Sequence, residues 1–428
     1  MVKKGKKRLS LMAIVAITLT VLVACGGSGD DTVGTNANDG VDDTSSEGSN
    51  SELVFWVDEG QLAGVEVAIA EFEAMHNVTI RVEERAFGGQ LEDLRLDGPA
   101  GIGADVVSVP SDQIPGAAIE GLLLELDINT TETSHLIDTA LQAQMSDGRL
   151  FGLPYAVETQ ILFYNRDLIS SEDLPQSFDE WYELSQEFVA NGQFGLLALL
   201  DQIYYTFGIM AQHGGYIFAT DGDGYDVERI GLANAGSIAA MEYLTRFYGS
   251  GIFPAGMVGE NGIQVLDGLF EEGQAAAVIS GPWNLGRYAD AGIDYGVAPL
   301  PLLSNGNRMA SFFGVKGYSV SSFSQNQELA ILFIEFLTNE TNSIARYEAT
   351  LELPAIDVPS GTNDVALAIA EQMNHLVTMP SIPEMGEIWA IDASLQTIAT
   401  GAATPENALS EAVEHILQQI YANHTSQQ

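Results

Sequence analysis

The side chains that could do chemistry here are 59 carboxylates, six histidines and one cysteine. No G-x-S-x-G elbow, Walker sequence or H-E-x-x-H occurs, and the histidines stand singly, so neither an activated nucleophile nor a metal-ligand spacing is offered. A glycosidase needs two carboxylates about 5 to 9 Å apart, but among so many acids candidate pairs are everywhere and select nothing. The lone cysteine, Cys25, excludes an intramolecular disulfide and leaves no thiolate for a zinc site in the folded part. No metal or cofactor is expected. Binding is better provided for. A neutral polyol such as a sugar presents hydroxyls, which suit carboxylate acceptors, and an apolar C–H face, which suits a flat ring. Asp112 and Glu158 stand where strand-like runs end, and Trp283 and Trp389 emerge from loops stiffened by Pro282, Pro380 and Pro383. Tryptophan supplies a large area at small entropic cost.

The elements that must position these residues are short. Leu53 to Val57, Val78 to Val82 and Asp105 to Val109 are β-branched runs separated by helix-like segments, with Val65, Ile69 and Phe72 at i, i+4 and i+7 between the first two. Such alternation predicts a mainly parallel sheet flanked by helices, with ligands at the carboxyl ends of the strands. Asp58, Glu59, Glu83, Glu84, Ser111 and Asp112 are candidates by that position. The stretch Gly148 to Ile169 carries an apolar run up to Glu158 and starts another at Ile161 with no turn signal between, which reads as a strand crossing from one lobe to a second. Further crossings are expected at Phe313 to Lys316 and Leu353 to Val358. Ser177 and Glu180 form a capping box ahead of Trp181, whose expected role is packing. Ala275 to Ser280 reads as a buried strand, and Pro405 to Tyr421 as an amphipathic helix with Ala408, Ala412, Ile416 and Ile420 on one face. Asp221 to Gly224 lacks a complete calcium-loop ligand set and reads as a turn.

The first residues read as an export signal: Lys3, Lys4, Lys6, Lys7 and Arg8 precede an apolar stretch, Leu11 to Val23, too short for a comfortable membrane span. Leu22-Val23-Ala24-Cys25-Gly26 resembles a bacterial lipobox, which makes Cys25 a lipidation site. The Gly-, Ser- and Asp-rich residues that follow cannot bury enough surface to fold and read as a tether. About 375 residues remain, too many for one core and enough for two lobes. A net charge of −43 repels nucleic acid and anionic membrane surfaces. Beyond residue 8 the only lysine is Lys316.

Four stretches carry a resemblance that spans Leu53 to Ile416: GRLFGLPYAVETQILFYNRDLI, the HGGYIF run from His213, GPWNLGRYADAGIDYGVAPLP from Gly281, and MPSIPEMGEIWAIDASLQTIATGAATPENAL from Met379. They are similar to the extracellular solute-binding proteins (family 1) of ABC sugar importers, in particular the maltose/maltodextrin-binding group. The resemblance implies an α/β, two-lobed periplasmic-binding-protein fold (class II-like) with three hinge crossings. Beyond the signal (1–24) and the lipidated linker (25–51) read above, it divides the chain into an N-terminal lobe (52–157 and 316–357) and a C-terminal lobe (158–315 and 358–428). It implies a monomeric, extracytoplasmic, membrane-anchored receptor that passes maltose or maltodextrin to an ABC permease and performs no catalysis. The family's stacking aromatics match Tyr204, Trp283 and Trp389, and its polar contacts match Asp112 and Glu158, with Asp58 or Glu59 in the first-strand position. Three departures stand out: an arginine of the family pattern is here Gln113, a tryptophan is Val109, and a glutamate is Gln202, which stays in the candidate set. Those changes leave trehalose, sucrose or another oligosaccharide open as ligands, and a secreted glycoside hydrolase as the alternative from another class.

Overall fold

The computed structural model describes residues 51–221, 224–356 and 364–426. The export signal, Cys25 and the linker up to residue 50 lie outside the described residues, as do Gly222 and Asp223 of the expected turn, whereas Ser51, expected in the linker, already belongs to the first strand. The strands that frame the molecule are β1 (Ser51–Asp58), β2 (Val78–Arg85), β3 (Val106–Pro110), β4 (Leu153–Glu158), β5 (Ile161–Asn165), β6 (Phe194–Leu197), β7 (Ala275–Ser280), β8 (Tyr295–Ala298) and β9 (Gly314–Val320). They form two sheets, in the orders β2-β1-β3-β9-β4 and β8-β5-β7-β6.

In the first lobe the helix Glu66–His76 follows β1 and lays Ala68, Ile69 and Phe72 on the sheet, with Val65 buried just ahead of it. Asn77, in the left-handed region at φ 52°, ends that helix and turns the chain into β2. Phe55 of β1 meets Tyr318 of β9 and Phe333 edge-on, both with centroids 5.4 Å apart. In the second lobe every residue of β7 is buried, as an inner strand covered on both faces must be. The helix Phe178–Ala190 starts on the capping box of Ser177 and Glu180 and buries Trp181 completely. The C-terminal helix Pro405–Ser426 turns Ala408, Ala412, Ile416 and Ile420 inward.

The sheets are mixed. β1 pairs in parallel with β2 and β3, and β7 with β6, as βα alternation predicts. β9 runs antiparallel to β3 and β4, and β5 antiparallel to β7 and β8. The reason is the route of the chain. β5 and β9 each begin where the chain has just arrived from the other sheet, so they run against the neighbours that end there.

The passages between the sheets are short. Only Thr159 and Gln160 separate β4 from β5, and β9 begins two residues after the Ser311–Phe312 strand, which pairs with Leu376–Val377. Ala156 and Leu136 of the first lobe bridge Pro354 and Ile356, while the helix Asp364–Gln372 packs on β8 of the second. Asp357 and Val358 of the third expected crossing lie outside the described residues.

Candidate ligand-binding site

The ends of β1, β3 and β4 in the first lobe and of β7 in the second surround one cavity of about 1030 Å³, at the upper limit usual for small-molecule sites. Of the eight candidate binding residues, Asp58, Glu59, Asp112, Glu158, Tyr204, Trp283 and Trp389 line it. Gln202 does not. It precedes the helix Ile203–Gln212, where its carbonyl accepts from the Thr206 hydroxyl. Glu83 and Glu84, expected just past the end of the second strand, lie inside β2: Glu83 accepts from the Trp56 indole and pairs with Arg81 and Arg85, while Glu84 accepts from the Gly60 amide.

Asp58 closes β1 and Glu158 closes β4. Their carboxylates lie 3.9 and 3.2 Å from Nζ of Lys316, which is almost wholly buried in β9. Burial pushes Asp58 up to about 6, opposed by Lys316, and burial likewise raises Glu158 against the same cation. Lys316 itself hydrogen-bonds Glu352 at 2.8 Å, and Glu352 also pairs with Arg346. Burial alone would favour the neutral amine, but the surrounding carboxylates overcome it and hold the lysine charged.

Asp112, beyond β3, is also pushed up to about 6 by burial, while the Trp389 indole N–H donates to its carboxylate. That bond joins the first lobe to the segment Met385–Ile391 of the second. Tyr204 lies in the first turn of Ile203–Gln212, its ring centroid 6.2 Å from that of Trp283, and its buried hydroxyl has no protein partner among the described residues. Gln160 fixes this turn from the first crossing by donating to the Tyr204 carbonyl at 2.6 Å.

Trp283 follows Gly281 and Pro282 in a short 3-10 turn. A Cβ on Gly281 would overlap the indole ring, so only glycine lets the ring lie back over its own backbone. Gly281→Ala is therefore expected to displace the ring and weaken ligand binding about 10-fold, or ~1.4 kcal/mol. Wild-type affinity by calorimetry would show that the ring's resting place is immaterial.

Sequence reasoning missed Lys316 as a site residue, although its being the only lysine beyond residue 8, directly after an expected crossing, was the available signal. It missed Phe87 as well, whose ring lies 5.0 Å from Lys316 Nζ and which no motif distinguishes. Val109, where the resemblance led one to expect a tryptophan, is fully buried in the first lobe. Phe87 supplies that lobe's aromatic surface in the cavity instead. Gln113 lines the cavity and its amide donates to the Gly88 carbonyl at 3.3 Å. Asp267 and Arg287, a hydrogen-bonded ion pair, extend the polar lining beyond Trp283.

Comparison with known proteins is consistent with this geometry. A family model described as bacterial extracellular solute-binding protein matches residues 67–368. The galactooligosaccharide-binding protein of Bacillus subtilis (strain 168) is 45% identical over 430 residues, which cover 99% of this chain and 99% of that protein. The maltodextrin-binding protein MdxE of the same organism is 33% identical over 381 residues, 86% of this chain and 90% of that one. Among solved structures, MalX from Streptococcus pneumoniae in complex with maltopentaose superposes with a TM-score of 0.78 at 28% identity, covering 86% of this chain and 100% of its own. The two-lobed periplasmic-binding fold is shared with these proteins.

Proposed function

Because the chain belongs to the bacterial extracellular solute-binding proteins, we propose that it captures galacto-oligosaccharides outside the cytoplasm and hands them to the permease of an ABC importer. It is a binding protein and not an enzyme. The observation that carries the sugar reading is the convergence of Trp283, Trp389 and Tyr204 with the strand-end carboxylates Asp58, Asp112 and Glu158 around one cavity. The galacto preference is supported by the relative that is 45% identical along nearly its whole length. The chemistry is compatible with it. The axial C4 hydroxyl of galactose leaves the C3, C4 and C5 hydrogens as one apolar patch for an indole face, and directs O4 and O6 to the opposite edge for carboxylates. Capture would proceed by closure of the lobes: a ligand that touches both favours the closed arrangement by its extra contacts there. Cys25 would carry the lipid that keeps the monomeric receptor at the membrane.

Maltodextrins are the second reading, favoured by the likeness to MdxE and to the maltopentaose-bound structure. Calorimetric titration with β-1,4-galactobiose and galactotriose, set against maltotriose, maltotetraose, trehalose and sucrose, separates them. Heat with the galactosides and little with the glucans is the expected result. The reverse would transfer the assignment to maltodextrins, and no response to any sugar would sink both.

A further inference from the structure

One buried ion cluster draws a charged residue from each of three places where the chain passes between the sheets. Glu158 is the last residue of β4, Lys316 the third of β9, and Glu352 follows the left-handed Leu351 at the start of the third passage. The ammonium of Lys316 lies 2.8 Å from Glu352, 3.2 Å from Glu158 and 3.9 Å from Asp58, and its side chain is 4% exposed. Two of those three partners, Asp58 and Glu158, line the ligand cavity, as Lys316 itself does.

We propose that Lys316 is a positioning residue that keeps Asp58 and Glu158 ionised and aimed into the cavity, so that ligand capture depends on the charge state of a cluster spanning the interlobe passages. The part concerning capture rests on the sugar reading of the cavity. With every member ionised, Asp58, Glu158 and Glu352 exceed Lys316 and Arg346 by one negative charge, and a buried excess of this kind is relieved by taking up a proton. Glu352 is held low between Lys316 and Arg346, so it is not the acceptor. The phenols facing the cluster are Tyr155 on β4, Tyr318 on β9, and Tyr204 and Tyr205 on the helix Ile203–Gln212, and burial raises all of them, so they stay neutral. As pH falls below neutral, the first proton therefore goes to Asp58 or Glu158, the two groups that a sugar hydroxyl would address. A protonated carboxyl has lost acceptor capacity and the charge that strengthens its hydrogen bonds.

Two consequences follow for the wild type: oligosaccharide affinity falls as pH is lowered from 7 to 5, and binding near pH 6 expels protons. In K316M burial is no longer opposed by the cation, so the fall moves up into the neutral range. K316M is expected to bind about 10- to 100-fold more weakly than wild type at pH 7, the size of a charge-assisted hydrogen bond. It should recover most of that by pH 9. K316R keeps a cation in place and should titrate as the wild type does.

The deciding measurement needs no ligand: carboxyl 13C NMR titration of the empty wild type, K316M and K316R. The Asp58 midpoint is expected to rise in K316M and return in K316R, and a midpoint unmoved in K316M overturns the proposal even if sugars bind. Failure of every sugar to bind the wild type instead sinks the functional reading, and is recognised because the NMR shift is then still present. Should K316M not fold, calorimetry of the wild type at pH 6 in buffers of different ionisation heat decides, and binding without proton release overturns the proposal.

Discussion

Replacing Trp283 with alanine is expected to weaken oligosaccharide binding by about 30- to 1,000-fold, the ~2–4 kcal/mol typical of truncating an aromatic anchor. Trp56 and Trp181 are fully buried and serve the lobes' interiors, whereas Trp283 is only half-buried and lines the cavity. Its ring has little freedom to lose, because Gly281 and Pro282 fix the turn beneath it, so stacking a sugar on it costs little ordering entropy. Trp283→Phe should retain much of the affinity, since a smaller flat face remains. Melting temperature should change little in either variant, as no core contact is removed. An alanine variant within about threefold of wild type by calorimetry would remove Trp283 from the stacking role.

The second large effect is expected from Glu158→Ala, which should cost about 10- to 150-fold in affinity, the ~1.5–3 kcal/mol of a hydrogen bond to a charged group. It should also blunt the ligand-induced compaction seen by small-angle scattering, because the residue ends the strand that leaves one sheet for the other. A variant that binds weakly but compacts fully at saturating sugar would show that the pivot lies elsewhere. Stability responds differently from affinity. An acid whose folded pKa is raised binds its proton more tightly in the fold, so the stability it contributes is present at low pH and declines as pH rises towards the folded value. Asp58, Asp112 and Asp392 each go from 3.8 to about 6. The contribution of these three acids to the stability of the empty protein should therefore decline as pH rises from about 4 to 6, over the interval in which ligand affinity grows, and D58N should flatten that decline in melts followed across the same range.

Much of the frame was legible in the sequence because it rests on local rules. The i, i+4, i+7 spacing of Val65, Ile69 and Phe72, the capping box at Ser177, and the unbroken apolar run of β7 each report on neighbours within one element. The strand-end rule brought out Asp58, Asp112 and Glu158, and the prolines marked the two cavity tryptophans. What was not legible depended on partners far apart in the chain. Residues 58, 158, 316 and 352 meet at one ammonium, and no spacing announces it. Gln202 is only two residues from Tyr204 in sequence, but it stands just ahead of the helix while Tyr204 lies in the first turn, and only Tyr204 lines the cavity. Strand direction was legible only in part for the same reason: alternation of β and α foretold the parallel pairing of β1 with β2 and β3 and of β7 with β6, but it does not speak of strands returning from another lobe.

The isolation of Lys316 has one more consequence. A lysine-specific endoproteinase has a single place to cut the chain beyond residue 8, and that place is in a strand hydrogen-bonded on both edges, at the start of β9. No exposed lysine elsewhere among the described residues can be nicked first. Cleavage of the native protein thus counts only those openings that unzip β9 from β3 and β4, and its rate becomes a one-site clock for how often the junction between the lobes comes apart.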